Sequence, residues 1–125
     1  AIMTCPFCTL SSERILYDNS DFLTIKDGFP VTDQHTLIIS KHHDLVLSRM
    51  SEDQLLLLHE AINRSKEQIL HFDPTVTGFN IGINEGKDAG QTVMHFHCHV
   101  IPRRNGDMQN PRGGVRGVIP EKQKY

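Results

Sequence analysis

At 125 residues, with 38% hydrophobic and 22% charged side chains, the chain is long enough for one hydrophobic core and short for two. A formal net charge of −2 gives no reason to expect non-specific nucleic-acid binding, and no run approaches the ~20 apolar residues of a membrane span. Residues 1–125 are therefore read as a single cytoplasmic domain with no nucleic-acid or membrane partner, and with no basic-then-apolar leader at the start.

In chain order, Cys5 and Cys8 come first, as Cys-Pro-Phe-Cys, with Cys98 a lone third. An odd count without a second spaced pair is not a secreted disulfide framework. The pair is a redox motif or half of a tetrahedral zinc site. No βαβ pattern precedes it, as a thioredoxin-type motif requires, and the histidines can supply two further zinc ligands. Glu13 to Tyr17 then reads as a strand ended by Asp18-Asn19-Ser20-Asp21, and Phe22 to Lys26 as its hairpin partner. Asp27-Gly28-Phe29-Pro30 breaks the pattern, and Asp27 taken alone is a turn carboxylate. His35 to Lys41 reads as a buried strand with Leu37, Ile38 and Ile39 in succession. His35 at its start is either a surface residue or a hydrogen-bonding support for another imidazole.

Ser51-Glu52-Asp53-Gln54 has the Ser-x-x-Gln pattern of a capping box and opens the clearest helix. Leu55, Leu58, Ile62 and Ile69 follow the 3.6-residue period, and Leu56 and Leu57 are expected to widen the buried stripe. His59 and His71 belong to this scaffold, and Pro74 stops it. Gly78 to Asn84 reads as a strand that pairs with the next one across a loop at 85–91.

That next strand is residues 94–101, Met-His-Phe-His-Cys-His-Val-Ile. Period-two alternation places His95, His97 and His99 on one face and Phe96, Cys98 and Val100 on the other. Side chains two apart on a strand repeat about every 6.6–6.8 Å, close enough for neighbouring imidazoles to act on one phosphate-sized group. Such a face is a polar surface, a metal site, or a nucleophilic centre. The loop just upstream, Asn84-Glu85-Gly86-Lys87-Asp88-Ala89-Gly90-Gln91-Thr92, brings backbone N–H groups and polar side chains to the strand. Together the two segments read as a phosphate site. After Ile101, four glycines and three prolines across residues 102–120 argue against a regular element, and Arg112 and Arg116 flank Gly113-Gly114 as an anion contact or a surface loop. Val115, Val118 and Ile119 suggest that the 102–125 tail packs down.

His95-Phe96-His97-Cys98-His99-Val100-Ile101 resembles the His-x-His-x-His-x-x signature of the histidine triad (HIT) family. The likeness extends through Gly90-Gln91-Thr92-Val93 and through His35-Thr36-Leu37-Ile38-Ile39-Ser40-Lys41-His42-His43, covering roughly residues 5–103. Ser40 departs from the proline common at its place. The elements themselves give an α+β fold: about five antiparallel strands, one long helix and short helical turns. The resemblance implies a HIT domain that forms a two-fold homodimer and binds an adenine nucleotide. It implies a structural zinc held by Cys5, Cys8, His43 and His95, with His42 the competitor for the third place. His97 becomes the nucleophile, His99 a stabilising donor and His35 its support. Asp27, eight residues before His35, becomes the ribose contact, and Asn84, Gln91 and Thr92 contact the phosphate or leaving group. The implied activity is hydrolysis at the α-phosphate of a dinucleoside polyphosphate or related nucleotide through a nucleotidyl-histidine. The alternatives are phosphoramidate hydrolysis and a zinc-stabilised nucleotide-binding module with little turnover.

Overall fold

The computed structural model describes residues 5–125. Five strands, β1 (Ile15–Asp18), β2 (Phe22–Lys26), β3 (Thr36–Ser40), β4 (Val76–Ile83) and β5 (His97–Arg104), form one sheet in the order β1-β2-β3-β5-β4. Every neighbouring pair is antiparallel. Helix α1 (Glu52–Phe72) lies between β3 and β4 in the chain, and short 3₁₀ turns complete the fold. The α+β expectation holds. Among the described residues no helix is long and apolar enough to cross a membrane.

The β1–β2 turn is built by one side chain. Asn19 Oδ1 accepts the N–H groups of Asp21 and Phe22 at 3.1 and 2.9 Å, while its Nδ2 donates to the Leu57 carbonyl of α1. The helix starts where the capping box places it: Ser51 Oγ accepts from Gln54 N and Gln54 Oε1 accepts from Ser51 N. Its buried residues are Leu58, Ala61, Ser65 and Ile69. Leu57 is half-buried against the core, but Leu56, expected to widen the stripe with it, is 65% exposed, and Leu55, expected within the stripe, is 44% exposed: a helix on a flat sheet buries only the residues on its inward arc.

The sheet is covered on both sides, which is why β3 is buried from end to end and reads as a continuous apolar run. One side packs Phe22, Ile38, Phe96, Cys98 and Val100 against α1. The other side carries Ile25, Leu37 and Ile39, covered by Phe7, Leu10, Ile15 and Leu23. Cross-strand partners share a face, and Leu37 pairs with His99 and Ile39 with His97. The histidine face is therefore the one under the N-terminal segment, away from the helix.

The structure departs from the sequence reading most at the start of β1, at both ends of β5 and in the tail. A 3₁₀ turn at Ser12–Arg14, capped by Ser11, occupies the start expected for β1. β5 begins at His97, leaving His95 in a bend, and continues through Pro102 to Arg104 because β4 supplies paired residues that far. Val115, Val118 and Ile119 are 67%, 75% and 54% exposed, since the tail's turns close on one another through Gln123 and the Arg112 carbonyl.

Candidate functional site

Two clusters adjoin on the histidine face. The first joins distant parts of the chain: Cys5 and Cys8 from the N-terminal turn, His43 after β3, and His95 before β5, with ligand atoms all within 4.8 Å of one another. His43 Nδ1 and His95 Nδ1 are 3.2 Å apart, His95 Nδ1 is 3.5 Å from each sulfur, and His43 Nδ1 is 3.2 Å from Cys8 Sγ. A tetrahedral ion with bonds of ~2.0–2.1 Å to nitrogen and ~2.3 Å to sulfur spaces its nitrogens ~3.3 Å apart and nitrogen from sulfur ~3.5 Å. The tautomer agrees. His95 Nε2 lies 2.7 Å from the Ser40 carbonyl, a contact favourable only as N–H donation, so Nδ1 turns its lone pair into the cluster. These four residues fit a zinc ion. His42 is exposed and stands outside the group.

The second cluster is His97, His99, His35 and Asp27. His97 is buried, with Nδ1 2.8 Å from the carbonyl oxygen of His95. A proton on Nδ1 makes that contact a hydrogen bond; a lone pair there would face the oxygen's own. The remaining nitrogen, Nε2, therefore carries the unshared pair. Phe7 meets this ring edge-on with centroids 5.1 Å apart, and meets His95 at 6.0 Å. One aromatic side chain of the cysteine turn thus touches both clusters.

His35 is placed by an opposite constraint. The Val31 N–H donates to His35 Nδ1 at 3.0 Å, so the ring's proton sits on Nε2, which is 2.9 Å from His99 Nδ1. His99 accepts there and holds its own proton on Nε2. Asp27 Oδ2 flanks this relay, 3.4 Å from His35 Nε2 and 4.0 Å from His99 Nδ1. Two imidazoles and a carboxylate at such spacing also resemble a metal triad. The backbone donor at Val31 argues against it, because a metal on His35 Nε2 would force the proton to Nδ1, against another N–H.

Burial pushes the pKa of His35 down, with the Asp27 carboxylate opposing. Burial likewise lowers His99, helped by the nearby His35 and His97 and opposed by Asp27. For a histidine lowered in the folded state, the unfolded chain binds the proton first. Stability is then complete above the ordinary value of ~6.5 and is lost as pH falls from there toward the lowered folded values. The midpoint of urea unfolding is expected to fall between pH 7.5 and 5.5, and by less in a His35→Gln/His99→Gln chain. Equal slopes in the two proteins would refute the assignment.

Of the remaining residues singled out by sequence, Asn84 is half-buried just past β4 and Thr92 is exposed in the loop. Gln91 is engaged within that loop: its Oε1 accepts from Gly86 N and its Nε2 donates to the Val93 carbonyl. His59 and His71 are exposed on α1. Arg112 and Arg116 both stack on Tyr125, 4.6 and 4.9 Å from its centroid. Cys98 is buried, its thiol pushed up to about 11 by burial, which leaves it inert. The sequence reading missed Phe7 and three backbone groups, the Ser40 and His95 carbonyls and the Val31 N–H; only Phe7, within its Cys-x-x-Cys turn, carries any sequence signal.

An antiparallel sheet bearing tautomer-fixed histidines beside a Cys₂His₂ cluster defines a small α+β domain of the histidine-triad kind. The HIT domain model matches residues 10–106, and the chain belongs to the HIT family. It is 34% identical over 120 residues to an uncharacterized HIT-like protein of Mycobacterium tuberculosis, covering 90% of this chain and 81% of the relative. A Zn-bound histidine triad family protein from Mycobacterium smegmatis superposes with a TM-score of 0.75 at 36% identity, over 88% of this chain and 82% of that one. A HIT family hydrolase from Clostridium thermocellum matches with a TM-score of 0.64 at 29% identity, over 82% and 93%.

Proposed function

We propose that the chain is a nucleotide hydrolase that cleaves at the α-phosphate of a dinucleoside polyphosphate or related adenine nucleotide. The observation that carries this reading is the hydrogen bond from His97 Nδ1–H to the His95 carbonyl, which leaves Nε2 as a neutral nucleophile without any dedicated base. His97 Nε2 bonds to the α-phosphorus as the bond to the leaving group breaks. The leaving oxygen departs with that electron pair as an anion, its charge stabilised by the hydrogen bond that His99 Nε2–H donates to it. Water then attacks phosphorus, the P–N bond breaks with its electron pair returning to Nε2, and the nucleoside monophosphate leaves with His97 restored and the water's proton released to solvent. His35 keeps His99 in the donating tautomer. Asp27 accepts from the ribose hydroxyls, Asn84 and Thr92 contact the phosphate, and Gln91 holds the loop that presents them.

Cys5, Cys8, His43 and His95 would hold a structural zinc, whose part is to fix the N-terminal turn and the bend before β5. Support comes from the Zn-bound mycobacterial relative and from the donor geometry. A homodimer in the cytoplasm completes the proposal, consistent with β4 as an open sheet edge and with three free cysteines.

The test is direct. The protein is mixed with diadenosine tetraphosphate or adenosine 5′-phosphoramidate, AMP release is followed, and acid-labile adenylyl adducts are sought by mass spectrometry on the peptide containing His97. AMP with a transient adduct on that peptide is expected. Failure to release AMP from either substrate would favour a nucleotide-binding module.

A further inference from the structure

Phe7 stands between Cys5 and Cys8, in a turn closed by the Cys8 N–H donating to the Cys5 carbonyl at 3.1 Å. Both cysteines belong to the Cys₂His₂ group, so the backbone on either side of Phe7 is tied to it. The side chain is half-buried and packs on Ile25, Leu37 and Ile39. Ile39 is the cross-strand partner of His97, which puts the phenyl ring and the imidazole on one face of the sheet. They meet edge-on, with centroids 5.1 Å apart and planes at 73°. Covering aliphatic neighbours calls for apolar bulk alone. The edge-on meeting with an imidazole calls for a ring.

His97 has a use for that ring. Its hydrogen bond from Nδ1–H to the His95 carbonyl, 2.8 Å long, fixes one atom of the imidazole. A ring held at one atom still swings about it, and the swing decides where Nε2 points. Fixing the plane takes further contacts. His99 supplies one, with centroids 5.3 Å apart and planes at 63°, and its own ring is set by His35. Phe7 supplies another, and its backbone is set by the cysteines. Covalent attack tolerates little misdirection, because a displacement of about 1 Å can cost on the order of 10²-fold in rate.

We propose that Phe7 is a positioning residue for His97: its ring, carried by the Cys-Pro-Phe-Cys turn, holds the imidazole plane so that Nε2 faces the α-phosphorus. This rests on the hydrolase reading above. It gives the cysteine turn, through Phe7, a part in aiming the nucleophile as well as in holding the fold.

The full-length, zinc-loaded chain is compared with Phe7→Leu, which keeps the apolar cover and removes the ring, and with Phe7→Tyr, which keeps both. Zinc content is measured, kcat and KM are taken on whichever of diadenosine tetraphosphate and adenosine 5′-phosphoramidate the wild type cleaves, and the ring-nitrogen NMR signals of His97 are recorded without substrate. Phe7→Leu is expected to keep its zinc and a KM within about twofold of wild type while kcat falls at least about tenfold. Phe7→Tyr should recover most of kcat. The two His97 nitrogens should be well separated in wild type, as a single Nδ1–H tautomer requires. In Phe7→Leu they should move toward each other, as the ring leaves the His95 carbonyl and both tautomers fill. Should Phe7→Leu fail to fold, Phe7→Met carries the same comparison. Wild-type kcat and unmoved ring signals in Phe7→Leu would reduce Phe7 to a cover and overturn the inference. Loss of zinc from Phe7→Leu overturns it too, as does a Phe7→Tyr chain as slow as Phe7→Leu. A wild type inert toward both substrates defeats the hydrolase reading and this inference with it; an active wild type matched in kcat by Phe7→Leu defeats this inference alone.

Discussion

Replacing His97 with alanine is expected to reduce kcat for AMP release on the order of 10⁴-fold or more, with a much smaller change in KM. Losing a covalent nucleophile removes the reaction path itself, whereas the contacts that bind substrate persist. The structure sharpens this expectation. His97 is held by one hydrogen bond to the His95 carbonyl and by edge-on contacts with Phe7 and His99, and the His99–His35 hydrogen bond is made without it. Folding should therefore survive. The chemistry should be recoverable in a His97→Gly chain supplied with free imidazole, which can attack phosphorus from the vacated space. A His97→Ala protein that turns over at the wild-type rate would remove the nucleophile assignment, and with it the nucleotidyl-histidine.

The His99 variant separates the two roles. With Gln at position 99 the nucleophile remains and the donor to the leaving group is weakened, so the loss should be smaller for a leaving group of low basicity. That ordering follows from the relay's tautomers, which assign the free lone pair to His97 and the outward proton to His99.

How much of this was legible from sequence depends on what each residue's neighbours are. The alternation of Phe96, Cys98 and Val100 correctly gave the core face, because a strand's period depends on its own backbone. The capping box gave the start of α1 for the same local reason. The strand read over 94–101 did not hold at its start: His95 precedes β5 and turns into the cysteine cluster, because the pairing partner of β5 runs out at Ile39–His97. Which nitrogen of each ring carries a proton was not legible at all. That is decided by the Ser40 and His95 carbonyls and the Val31 N–H, groups every residue possesses and whose placement only the folded chain reveals. Leu55 and Leu56 misled because periodicity identifies a face without saying how wide the surface beneath it is.

The cysteine pair leads to the second large effect. The isolated protein is expected to carry one zinc per chain, and stripping it, or making Cys8→Ser, should lower the melting temperature by at least ~10 °C. A structural zinc contributes apparent binding energy of ~10–16 kcal/mol, as large as the whole ~5–15 kcal/mol stability of an ordinary domain. Losing even ~3 kcal/mol of that in a chain of this size gives the stated shift. The damage should be local first. Phe7 and Leu10 cover Ile25, Leu37 and Ile39, and they are anchored by the turn that Cys5 and Cys8 close. With that turn released, the apolar face opens, His95 loses the ligand that orients its Nδ1, and Phe7 withdraws from His97. Hydrogen exchange should accordingly rise at residues 5–10 and around His95 before it rises in α1. A redox pair would behave differently: Cys5 and Cys8 would lose two thiols on oxidation, no metal would be found, and a chelator would leave the melting curve where it was. Observation of that second pattern would return the Cys-Pro-Phe-Cys turn to redox chemistry and leave the approach of His43 to His95 without a cause.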